Sequence, residues 1–106
     1  MNNLNQIILE GTVCKIKEVH TTRSGVNYFD FCMSSTLHED VGFFDIRAYG
    51  QLADRIIDVL AKGQTVRVIG RLKQERWKDD DGKLHSDIYS IAEHIEIKKE
   101  ANYEKN

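Results

Sequence analysis

The apolar residues of this chain recur at every second position along most of its length and change period once, in QLADRIIDVLAKG from Gln51 to Gly63. Recurrence every two residues puts alternate side chains on opposite faces of a strand, whereas recurrence every three or four marks one face of a helix. The sequence is thereby limited to a mostly β fold with a single helix set late in the strand order.

LNQIILEGTVCKIKEV, from Leu4 to Val19, reads as one long strand that bends where Gly11 removes a side chain. TTRSG follows as a turn. In VNYFDFCMS, Phe29, Phe31 and Met33 form the expected core face, with Tyr28, Asp30 and Cys32 opposite. STLHEDVG reads as a polar loop. In FFDIRAYG, Phe44, Ile46 and Ala48 form an apolar face, with Phe44 expected in the core, and Phe43, Asp45, Arg47 and Tyr49 form the other.

The segment of changed period, carrying Leu52, Ile56, Val59 and Leu60, predicts an amphipathic helix of about three turns, with Gly63 as its C-cap candidate. Period two returns in QTVRVIGRLKQERW, with Val66, Val68, Gly70 and Leu72 on one side. DDDG signals a hairpin into LHSDIYSIAEHIEI, whose apolar positions are Ile91, Ile95 and Ile97, with Ala92 small. Three strands, a helix and a two-stranded hairpin give an all-β chain with one short helix. This is the order of a five-stranded OB-fold barrel with its helix between strands three and four. Residues 1–98 are expected to form that domain and 99–106 a short polar tail.

A length of 106 residues fits one domain. The net charge of -2 gives no global attraction for a polyanion, but the charge is unevenly spread. Lys62–Lys78 holds six bases and one acid, and Asp79–Asn106 holds eight acids and four bases. Cys14 and Cys32 are the only cysteines and lack metal-ligand spacing, so free, half-buried thiols are expected. His38, Glu39 and Asp40, and the pair His85 and Asp87, read as loop and surface polarity. No catalytic constellation, metal site or cofactor motif is expected. The polar opening MNNLNQ is unlike a secretory signal, and no apolar run approaches the ~18 residues of a membrane span. A cytoplasmic, non-enzymatic protein with no membrane partner is the expectation.

GRLKQERWKDDDG carries the only tryptophan, Trp77, among Arg71, Lys73, Arg76 and Lys78. Cations attract a phosphate backbone and a flat ring offers a stacking surface to any base. Phe43, Arg47 and Tyr49 repeat the combination on another strand, and Tyr28 is a candidate for the same surface. The alternatives stay open at this level: an exposed aromatic pair also suits a dimer interface, and a tryptophan at a hairpin base also suits simple packing.

The ordered pieces NQIILEGTV, FFDIRAYGQLADRIIDVLAKGQTVRVIGRLKQERWKDDDGK and IAEHIEI resemble the bacterial and mitochondrial single-stranded DNA-binding protein family. The resemblance implies an OB-fold that binds single strands with little sequence preference, usually as a homotetramer, in DNA replication, recombination and repair. It implies stacking by Phe43, Tyr49 and Trp77, with Lys73 in the cationic set and Lys62 as a basic position flanking the helix. Two positions depart from the family pattern: Glu75 and Asp45 stand where cations are usual. The 106 residues contain no proline, hence no acidic Pro-Phe motif of the kind through which the family recruits replication proteins. Short, tail-poor relatives include dimeric primosomal replication proteins. A dimeric interaction module of that type and an RNA-binding OB domain are the competing readings.

Overall fold

A computed structural model describes residues 1–99. Five strands and one helix follow in the order β1 (Ile7–Thr21), β2 (Asn27–Leu37), β3 (Asp40–Tyr49), α1 (Gly50–Ile56), β4 (Thr65–Lys78) and β5 (Leu84–Lys99). They close a barrel in the order β1-β2-β3-β5-β4. All neighbours are antiparallel except β3 and β5, which meet in parallel through Ile46↔Ser90 and Arg47↔Ile91. This is the OB-fold expected from the period changes.

The long first strand serves both sides of the barrel. Ile7–Thr12 pairs with β4 and Thr12–Thr21 pairs with β2. The changeover needs a close approach of backbones, and a Cβ on Gly11 would overlap the carbonyl of Ser34. β4 has the same device at Gly70, where a Cβ would overlap the carbonyl of Ile91. Opposite that glycine β5 bulges: Ile69 pairs with His94 but Gly70 pairs with Ala92. The extra residue, Glu93, shifts the phase of the strand. Ile95 and Ile97 therefore oppose Val68 and Val66, while Ala92 and Ser90 oppose Gly70 and Leu72.

Phe29, Phe31 and Met33 of β2 are buried, as their alternation requires, with Val13, Ile46, Ala48, Val66, Val68, Ala92 and Ile95 around them. Ala53 and Ile56 of α1, with Leu60 beyond it, cover this core. The buried Gln64 is satisfied locally: its Oε1 accepts from the Ala61 amide and its Nε2 donates to the Val59 carbonyl, both at 2.9 Å.

Four local expectations change. The helix has seven residues, about two turns, not three. Beyond Ile56 the side chain of Gln64 takes the backbone groups a longer helix would use, so Val59 is exposed while Leu60 stays inside. Gly63 adopts φ 96° in the turn before β4 and does not cap the helix. The expected polar loop is a hairpin: pairing continues to Leu37↔Asp40, and His38 turns the chain at φ 57°. Phe44 faces inward but is 38 % exposed and lies outside the core cluster, its ring covering Gly42. The register explains this, because the hairpin runs past the barrel end and Phe44 pairs with Met33, the last covered residue of β2. Of the expected tail 99–106 only Lys99 is described, as the end of β5, and positions 100–106 lie outside the described residues.

Candidate nucleic-acid interface

Strand alternation fixes which side chains share the outer face of the barrel. On β2 these are Tyr28, Asp30 and Cys32, and on β3 they are Tyr49, Arg47, Asp45 and Phe43. Register joins them as Tyr28↔Tyr49, Asp30↔Arg47 and Cys32↔Asp45. Across the parallel seam, β4 and β5 contribute Lys73↔Tyr89, Glu75↔Asp87 and Trp77↔His85.

Aromatic rings dominate this face. His20, Tyr28 and Tyr49 form a row over three adjacent strands, with centroids 5.2 and 5.5 Å apart. Trp77 is 49 % exposed and stacks on His85 at 5.6 Å. The His85 imidazole is oriented by Asp79, 2.8 Å away, rather than by Asp87. Asp79 also accepts from the amides of Asp81 and Lys83, and so organises the turn that carries the tryptophan. These bonds, the one to His85 above all, hold the Asp79 carboxyl below its usual range. Phe43 is 68 % exposed further along β3.

Arg47 lies at the centre. Its Nε and Nη2 donate to the two carboxylate oxygens of Asp30 at 2.8 and 3.1 Å, and its Nη1 lies 3.4 Å from both the Tyr49 and Tyr89 hydroxyls. Its guanidinium carbon is 4.4 Å from the Tyr28 ring centroid and 4.7 Å from that of Tyr89. The bonds to Asp30 raise its already high pKa. Burial pushes the Tyr89 hydroxyl up to about 12.

The expected basic cluster divides. Arg71 and Lys73 share the face of Trp77, whereas Arg76 and Lys78 alternate to the opposite face of the projecting hairpin with Leu72 and Gln74. Lys62 lies in the link between α1 and β4 and belongs to neither strand face. The groove beside Arg47 is lined by Lys17, Asp30, Asp45, Glu75, Asp87 and Tyr89, so carboxylates outnumber cations there. Lys17 is 3.4 Å from Asp45. Tyr89, His20 and His85 join the face without having been singled out as ring partners. The alternation of His85, Asp87 and Tyr89 put these three on one face of a strand without saying which face is outward, and His20 on β1 lay outside that pattern.

The sequence profile of the "Single-strand binding protein family" matches residues 4–98. The chain belongs to this family. Among its relatives, the "Single-stranded DNA-binding protein" of Aquifex aeolicus (strain VF5) is 29 % identical over 103 residues, covering 89 % of this chain and 69 % of that one. The protein of the same name from Treponema pallidum (strain Nichols) is 28 % identical over 105 residues, covering 92 % of this chain and 59 % of its own. That of Helicobacter pylori (strain ATCC 700392 / 26695) is 37 % identical over 73 residues, covering 67 % of this chain and 41 % of its own. The chain thus spans about two thirds or less of the length of these relatives. A crystal structure of mitochondrial single-stranded DNA-binding protein from S. cerevisiae superposes with a TM-score of 0.77 at 15 % identity, covering 92 % of this chain and 98 % of that one. That likeness is one of fold.

In this family member Cys14 and Cys32 are free and half-buried, and the Cys14 thiol lies 3.3 Å from the Cys32 carbonyl. Burial, helped by Cys14, pushes the Cys32 thiol up, which lowers its reactivity. Among the described residues no three His, Cys, Asp or Glu side chains are grouped to hold a metal ion, and no helix is long and apolar enough to cross a membrane.

Proposed function

We propose that this protein binds single-stranded DNA with little sequence preference, without catalysing a reaction, by stacking bases on the outer-face rings. The observation that carries the reading is the aromatic face itself. Tyr28, Tyr49, Phe43 and Trp77 are half-buried or exposed on one side of an OB barrel, in a chain of the single-strand binding family. Its relatives bear the name single-stranded DNA-binding protein. Stacking is indifferent to base identity because every base has a π-face. Arg71 and Lys73 are the phosphate contacts that share this face. Carboxylates crowd the neighbouring groove, so charge contributes less to affinity than stacking does.

The proposed setting is cytoplasmic DNA replication, recombination or repair, as a homo-oligomer with a tetramer favoured over a dimer. An apolar patch supports self-association: Ile8 is 65 % exposed and pairs with Ile69 on the outside of the β1–β4 ladder, flanked by the Glu10–Arg67 ion pair. Titration with oligo-dT tests the main reading. Trp77 emission is expected to be quenched on binding, and unchanged emission with no complex on light scattering would refute the proposal. The same scattering run gives the oligomer mass, and competition with oligo-U separates DNA from RNA preference.

A further inference from the structure

Tyr28 and Asp30 on β2 and Tyr49 and Arg47 on β3 form a two-by-two square, because Tyr28 pairs with Tyr49 and Asp30 with Arg47. Tyr89 reaches this square from β5. We propose that Arg47 is a positioning residue: locked to Asp30, it fixes the rings of Tyr28, Tyr49 and Tyr89 and leaves the phosphates to other cations. The inference rests on the single-strand-binding reading of this face and assigns Arg47 a different role from the contact with the strand that its exposed-strand setting suggested.

A guanidinium has five N–H donors in a fixed fork. Nε and Nη2 of Arg47 are held by both oxygens of Asp30, and Nη1 is shared between two tyrosine hydroxyls. The Arg47 and Asp30 side chains are only 21 % and 23 % exposed. Bidentate pairing is the strongest form of a carboxylate–arginine contact, and a phosphate would have to displace it. The pair is formally neutral, so it adds no net attraction for a polyanion. Asp45, Glu75 and Asp87 line the same groove and oppose an approaching phosphate.

The rings, in contrast, depend on Arg47. Tyr28 and Tyr89 have their centroids within 4.4 and 4.7 Å of its guanidinium carbon, a cation–π distance, and Tyr49 and Tyr89 meet it through their hydroxyls. Rings held in place before binding lose less conformational entropy when a base stacks on them. Arg47 therefore acts on affinity through order rather than through charge.

Two substitutions test this, Asp30→Asn and Tyr89→Phe. Tyr89 is 8 % exposed, so its hydroxyl acts on a bound strand through Arg47 and the neighbouring Tyr49 hydroxyl, and the phenylalanine keeps the ring and the packing. Aromatic NMR spectra of the free protein are expected to show displaced Tyr28 and Tyr49 ring signals in both variants. Oligo-dT binding is then titrated against salt. Asp30→Asn removes a negative charge from the binding face, yet is expected to bind about tenfold more weakly, the scale of a lost charge-assisted hydrogen bond. Its slope of log K against log salt is expected to match the wild type. Tyr89→Phe is expected to bind more weakly by a smaller factor with the same slope. Affinity that holds or rises in Asp30→Asn, or a slope steeper by about 0.7 for one added phosphate contact, would mean that a freed Arg47 reaches the strand, and would overturn the proposal. Unmoved ring signals would overturn it as well. Should Asp30→Asn fail to fold, Tyr89→Phe decides through binding and the Tyr28 signal, since Arg47 contacts both Tyr28 and Tyr89. If the wild type did not bind oligo-dT, the function would fall while the ring signals still decided whether Arg47 holds the tyrosines.

Discussion

At the scale of single residues, exposure separates the side chains that meet a ligand from those that hold the barrel. Trp77→Ala is expected to weaken oligo-dT binding by roughly 1–3 kcal/mol, the range for one stacking platform, with little change in unfolding temperature. Anisotropy of a labelled oligonucleotide measures the first and a thermal melt the second. Phe31, fully buried, and Phe44, 38 % exposed, are expected to differ sharply when truncated. Phe31→Ala should cost about 3–5 kcal/mol in urea unfolding, and Phe44→Ala less than half of that. Equal losses would contradict the position of Phe44 at the barrel's rim. Alternation alone could rank neither, because it gives the face of a strand and not where along the strand the covering layer stops. For the same reason Phe29, Phe31 and Met33 were legible and Phe44 was misjudged. The Asp30–Arg47 pair was invisible for another reason: a cross-strand contact depends on register, which no single strand's pattern records.

At the scale of elements, the β4–β5 hairpin is the part whose two faces differ most. Lys73 shares the face of Trp77 and Lys78 does not. Lys73→Ala is therefore expected to flatten the salt dependence of oligo-dT binding by about 0.7, the contribution of one phosphate on a single strand, and Lys78→Ala to leave it unchanged. The turn of this hairpin is expected to respond to acid. Asp79 is held below its ordinary value of 3.8 by His85 and by the amides of Lys83 and Asp81. A depressed carboxyl favours folding above its unfolded pKa, and that contribution is lost as pH falls through the folded value. The turn is expected to be intact at neutral pH and to loosen below about pH 4, a loss absent from Asp79→Asn. An NMR titration of the Asp79 carboxyl carbon and the Trp77 indole follows both events. The hairpin itself was plain in DDDG. The phase of β5 was not, because the bulge at Glu93 moves Ser90 and Ala92 inward and brings Tyr89 to the outer face. The helix was overestimated because Gln64, outside the amphipathic stretch, takes the bonds that would have extended it.

At the scale of the whole molecule, five strands and a helix in the observed order followed from the turn signals and the single interruption of period two. What period could not give is closure. β1 reaches β4 through residues as distant as Ile7 and Gly70, and Gly11 and Gly70 are the points where backbones must come too close for a side chain. Gly70→Ala is expected to unfold at lower urea than wild type by about 1–3 kcal/mol, the usual effect of an overpacked position, with the larger effect reserved for Gly70→Val. The seam between β3 and β5 joins only Ile46, Arg47, Ser90 and Ile91 by register. Arg47 meets Tyr89 across that seam, from 42 positions away in the chain. One ring beside Arg47 thus comes from β5, which is synthesised after the other four described strands. A growing chain that has made β2 and β3 already carries Tyr28, Asp30, Arg47 and Tyr49, and it waits on β5 for Tyr89 alone.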